Sequence, residues 1–133
     1  MHEPYEKMLG HPADFRVKYR FRTLDEGGRK SGEPFQGYRS DFSYTDEAND
    51  KLYRIWPEFE DEKGKVLTKH SHRVRNQGTA RMWVILPEMR PHHIQKLKIG
   101  TKGHFNEGAR RVADCEVIEI LGLYKNPKKA IEK

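Results

Sequence analysis

Histidines, one cysteine and a run of acidic residues are the groups in this 133-residue chain that chemistry would draw on first. His70 and His72 are two apart, so on a strand they share a face. With one further ligand they would make an imidazole metal site. No tight acidic partner motif accompanies them. His92 and His93 are adjacent and His104 stands apart, so the histidines read as surface residues. Cys115 lies between Asp114 and Glu116, whose charges disfavour the thiolate that a nucleophile needs. It reads as a packed thiol. Glu58, Glu60, Asp61 and Glu62 flank a turn and read as a solvated loop rather than an acid/base pair.

The motifs that cradle phosphates are missing. No Gly-x-x-x-x-Gly-Lys-Ser/Thr occurs, and no Gly-x-Gly-x-x-Gly follows a strand. A single cysteine permits neither a Cys-x-x-Cys zinc site nor a disulfide within the chain. The expectation is a protein that is not an enzyme, with no catalytic, metal or cofactor-binding residues and no bound nucleotide.

Charge points to binding. The net charge is +6. It is split unevenly, at −2 over residues 1–66 and +8 over residues 67–133. A basic half suits an anionic partner such as RNA, or an acidic protein surface. No apolar run approaches the roughly 18–20 residues that a membrane helix requires. The start, Met1-His2-Glu3-Pro4, lacks the features of a signal peptide. The expected location is the cytoplasm, with no membrane partner.

The elements that must carry these residues repeat with a period of two. Phe15, Val17, Tyr19 and Phe21 alternate with Arg16, Lys18, Arg20 and Arg22. That is a strand with an apolar face and a wholly basic one. Further strands are expected at Tyr38 to Tyr44, Leu52 to Trp56, Thr79 to Leu86, Lys102 to Asn106 and Arg110 to Leu121. Pro57 marks a strand end or an edge. The dense run Met82 to Leu86 predicts burial on both faces. Residues 92–97 suit one helical turn. Short strands at this spacing indicate a barrel or sandwich. The domain is expected over 13–123, between a loose N-terminal segment, 1–12, and a basic C-terminal tail, 124–133.

Two segments carry a family resemblance. The first is Asp25-Glu26-Gly27-Gly28-Arg29, followed by Pro34-Phe35-Gln36-Gly37-Tyr38-Arg39 and Phe42. The second is Gly100 to Leu121, with Glu107, Gly108, Arg110, Val112 and Val117 at matching positions. Between them, Gly78 to Pro87 resembles a third stretch. Together they resemble domain 3 of translation elongation factor Tu over roughly residues 14–121. The expectation is a stand-alone domain of that kind, without the GTPase domain. Residues 46–77 are longer and more polar than the family's equivalent.

The resemblance implies an all-β fold, a closed six-stranded antiparallel barrel. It implies structural turns at Gly27, Gly28, Gly37 and Gly108, with positive φ at Gly27 and Gly28. It places Arg39 on the tRNA side and the Glu107 to Arg110 hairpin near the contact with the GTPase domain. Two departures bear on function. Ser40-Asp41 replaces the family's Pro-Gln, adding a negative charge where phosphate would approach. Ala109 and Asn106 replace a glycine and an arginine of the hairpin.

The expected function is a non-enzymatic module that contacts RNA, tRNA-like in kind, through a basic face. The candidates are Arg16, Lys18, Arg20, Arg22, Arg29, Arg39, Arg110 and Arg111, with Trp56 as a stacking surface for bases. The alternative is a protein-interaction module. It would bind a translation factor, or a toxin that engages elongation factor Tu, as a decoy or immunity-type protein.

Overall fold

In the computed structural model, which describes residues 1–69 and 72–129, the alternating segment forms strand β1, Phe15–Phe21. Its four apolar side chains are buried, and Arg16, Lys18 and Arg20 face outward. The other strands are β2 (Asp41–Tyr44), β3 (Ile55–Phe59), β4 (Gln77–Val84), β5 (Lys102–Glu107) and β6 (Arg110–Ile120). They form one six-stranded antiparallel sheet in the order β2-β5-β6-β1-β4-β3.

The sheet curls into a half-barrel. Its edges, β2 and β3, lack a continuous ladder, so the barrel is open where a closed one was expected. One bridge spans the gap. Phe42 and Tyr53 exchange two backbone hydrogen bonds of 2.8 Å.

The core is aromatic. Tyr19 meets Phe59 edge to face at 5.2 Å between centroids, and Phe15 meets Phe42 at 5.9 Å. Such pairs add roughly 0.5–1.5 kcal/mol each beyond burial.

Three expectations shift. β3 runs to Phe59 because Pro57 does not end it. Pro57 pairs with Met82 on an edge strand, where the missing N–H costs no ladder bond. β2 begins only at Asp41. Before it, Gly37 at φ 93° turns the chain, and the Tyr38 N–H bonds to the Phe35 carbonyl. The helical turn near 92–97 is helix α2, Arg90–Lys96.

The N-terminal segment is not loose. It carries helix α1, Tyr5–Leu9, and buries His2 and Tyr5. The buried Glu58 carboxylate hydrogen-bonds with His2 Nε2 (2.6 Å), the Tyr5 N–H (2.9 Å) and the Trp83 indole N–H (3.3 Å). Tyr5 and Ala13 thereby cover Trp83 on the outer face of β4. This accounts for burial on both faces at Met82, Trp83 and Val84, while Ile85 is half-buried and Leu86, expected with them, is exposed beyond the strand end.

The two ends of the domain meet at a buried ion pair. Asp14 Oδ1 accepts from Arg90 Nε (2.8 Å) and Asn126 Nδ2 (2.9 Å), and Oδ2 accepts from the Val84 N–H (2.8 Å). Arg90 also donates to the Val84 carbonyl (2.9 Å) and the Pro127 carbonyl. Removing one partner of such a pair strands the other charge. Arg90→Met is therefore expected to cost about 3–5 kcal/mol, read as a lowered denaturant midpoint.

His93 is buried against Tyr44, whose hydroxyl lies 2.6 Å from Nδ1. Burial, and then the neighbouring His92, lower its pKa from 6.5 to about 4. The unfolded chain therefore takes up this proton first as pH falls. Stability from this group is full above pH 6.5 and is lost on the way down to about 4. Thermal melts across that window should show the decline, and His93→Gln should flatten it.

Candidate macromolecule-binding face

The outward stripe of β1 is crossed by carboxylates. β6 lies beside β1 in the register Arg16↔Glu119, Lys18↔Glu116 and Arg20↔Asp114. Arg16 bonds Glu119 (2.9 Å) and, from Nη2, the buried Glu60 (2.8 Å). Glu60 also takes Arg81 Nε at 2.9 Å. Burial pushes the Glu60 pKa up, but its bonds to Arg16 and Arg81 outweigh this and hold it low. Arg20 makes two parallel 2.9 Å bonds to Glu26. That pairing, with the Thr23 N–H, brings Glu26 down to about 2. Arg22 bonds Asp114 at 2.8 Å.

Three of the four expected cations are thus occupied within the fold. Lys18 differs. Its ammonium is 4.0 Å from Glu116, and its side chain is 62% exposed.

Arg29, Arg110 and the glycines form a second group. The Glu107 carboxylate accepts from both Arg29 and the Tyr38 hydroxyl, and Arg29 lies over the Tyr38 ring at 5.0 Å. Arg110 donates to the Gly28 carbonyl at 3.4 Å. Residues 25–39 and the β5–β6 hairpin therefore touch, although they lie far apart in sequence. Gly27, Gly37 and Gly108 have φ of 91°, 93° and 58°. Gly28 departs from the expectation, since its φ is not positive. It is glycine for space: a Cβ there would lie 2.1 Å from the Arg22 carbonyl oxygen.

Arg39 stands over the Trp56 ring at 4.4 Å. Trp56 is half-buried and capped, so it offers no open stacking surface. Arg111 is half-buried beside His104.

A groove of about 640 Å³ runs over the outer face, lined by Lys18, Arg75, Gln77, Thr79, Lys102 and Glu116 among others. Arg75 and Lys102 make no ion pair among the described residues. The candidate set drawn from sequence omits both. Their signal was the +8 charge of the second half. Arg75 sits in a loop and Lys102 at a strand start, so no periodic pattern marked them.

The histidines disperse. His70 lies outside the described residues. His93 faces Tyr44, and His104 bridges Asp114 and Thr45. Among the described residues, no group of three His, Cys, Asp or Glu is arranged to hold a metal. Cys115 is buried, and burial followed by the charge of Asp114 pushes its thiol pKa well up.

No protein-family model matches this chain, and no curated protein matches it at a significant level. The face must be judged on its own geometry.

Gly28→Ala should cost about 1–3 kcal/mol by overpacking against the Arg22 carbonyl. Chemical denaturation reads this directly, and a neutral result would mean that the turn shifts freely.

Proposed function

We propose that this domain is a binding module of the elongation factor Tu domain 3 kind, and that it works by contact rather than turnover. Its partner is RNA, tRNA-like in shape, met in the cytoplasm. One observation carries the reading: Lys18, Arg75 and Lys102 line one groove with only a single carboxylate contact among them, Glu116 at 4.0 Å from Lys18. Phosphate contacts by such cations release counterions and supply sequence-independent affinity. The groove also offers Gln77 and Thr79 as hydrogen-bonding groups.

Two further observations support the family reading. The motif segments around Gly28 and Glu107 pack on each other through Arg29 and Tyr38. The Phe42–Tyr53 bridge joins the β2 edge to the residues just before β3, so the open half-barrel is spanned where a closed one would have its seam. In this reading Arg16, Arg20 and Arg22 brace the sheet, while Arg39 over Trp56 and Arg110 and Arg111 on β6 are not among the groove-lining residues.

A second reading has its own support. The ion pairs of β1 with Glu26, Glu60, Asp114 and Glu119 leave a surface of mixed sign, which suits a protein partner. A translation factor, or a toxin that binds elongation factor Tu, fits that surface.

Fluorescence anisotropy with bulk tRNA separates the two. The RNA reading expects binding that weakens by about 10–50-fold between 50 and 200 mM salt, for three phosphate contacts. Replacing Lys18, Arg75 and Lys102 together by Glu should abolish it. Binding that ignores salt, or survives the triple replacement, would sink the RNA reading. A protein retained from ribonuclease-treated lysate would then favour the second.

A further inference from the structure

The β2-β5-β6 part of the sheet brings together a hydroxyl, an imidazole and a carboxylate on its outer face. Ser43 pairs with His104, and His104 pairs with Asp114. Thr45 is two residues beyond Ser43, so it lies on the same face as a diagonal neighbour. Thr45 Oγ1 is 3.0 Å from His104 Nε2. His104 Nδ1 is 2.9 Å from Asp114 Oδ1. Arg22 Nη2 donates to the same Asp114 Oδ1 at 2.8 Å and helps to fix the carboxylate.

Chemistry assigns the protons. An ionised carboxylate only accepts, so Nδ1 carries the hydrogen and donates it to Asp114. Nε2 then has a lone pair, and the Thr45 hydroxyl donates to it. Burial pushes the Asp114 pKa up, but its bonds to Arg22 and His104 outweigh this and keep it ionised. Burial lowers the His104 pKa more than Asp114 raises it, with Arg111 and Arg22 adding to the lowering. The imidazole is thus neutral near pH 7, and its Nε2 lone pair is open to the Thr45 proton. His104 is 6% exposed, whereas Thr45 opens to solvent. The order of hydroxyl, base and orienting carboxylate is that of an activated nucleophile.

We propose that Thr45 is a self-acylation site, taking one acyl group from an activated ester or thioester. Thr45 Oγ1 forms a bond to the carbonyl carbon and passes its proton to His104 Nε2. The carbon–oxygen or carbon–sulfur bond of the donor breaks. The leaving alkoxide or thiolate takes the proton from His104 and departs as alcohol or thiol. Thr45 is left as an ester, and nothing is oxidised or reduced. A cleft of about 550 Å³ adjoins the hydroxyl, lined by Lys98, Thr101 and Lys102 among others. These ammonium groups suit the negative charge that develops on the carbonyl oxygen. The reaction needs no RNA, although Lys102 lines both this cleft and the groove.

The probe is p-nitrophenyl acetate on the full chain. Release of about one equivalent of p-nitrophenolate is expected, with the acetyl group found on Thr45 by peptide mass spectrometry. Thr45→Ser should keep the reaction and Thr45→Val should abolish it. His104→Gln should slow it by roughly 10²–10⁴-fold, as loss of a general base does. Site assignment on the unaltered protein stands even if a variant fails to fold. No acetyl group on Thr45, or equal labelling of Lys98 and Lys102 in Thr45→Val and the parent, would overturn the proposal.

Discussion

A carboxylate sealed from water must be surrounded by donors, and Asp14 is met on every side. Arg90 from the start of α2, the Val84 N–H from β4 and Asn126 from the C-terminal segment all converge on it. Each donor comes from a different part of the chain, so the pair can form only when the whole domain is assembled. A misplaced register would leave a bare charge in the interior. The chain therefore gains specificity here as much as stability. Glu58 repeats the device on the edge strand β3, drawing in His2, Tyr5 and Trp83.

Satisfying buried carboxylates also shapes the surface. The basic stripe of β1 reads from sequence as a landing strip for phosphates. In the fold it faces β6, whose Asp114, Glu116 and Glu119 lie opposite its cations. Exposed pairs of this kind contribute only about 0–1 kcal/mol each. Their larger effect is to cancel the field along β1 and leave it to Lys18, Arg75 and Lys102. Charge density in sequence and available charge in space are different quantities.

Much of the sheet was legible because its information is local. Period-two alternation in 15–21 and the dense run near 82–86 depend only on neighbouring residues. The glycines at 27 and 108 declare their turns for the same reason. What stayed hidden needed partners from afar. Pro57 leaves a strand end and an edge both open until the sheet order makes β3 an edge. His2 and Tyr5 sit in a polar leader that reads as loose, and only the buried Glu58 explains their order. The pairing of Arg16 with Glu60 and Arg22 with Asp114 depends on register, which no single segment encodes. The alternation of Asp114 and Glu116 along β6 was the one local hint that the cations would be answered. Arg75 and Lys102 belong to no pattern, so the groove appears only once β1, β4, β5 and β6 lie side by side.

β1 is the second strand from neither edge: it lies between β4 and β6. Its most distant partner, Ile120, closes on Phe15 across nearly the whole chain. The first strand of this sheet to be synthesised is thus among the last to be flanked on both sides. Until the C-terminal strand emerges, Phe15, Val17, Tyr19 and Phe21 have no complete shelter, and Arg16, Arg20 and Arg22 keep this waiting segment soluble. The same charges that later lock the sheet together serve first as guardians of an unfinished chain.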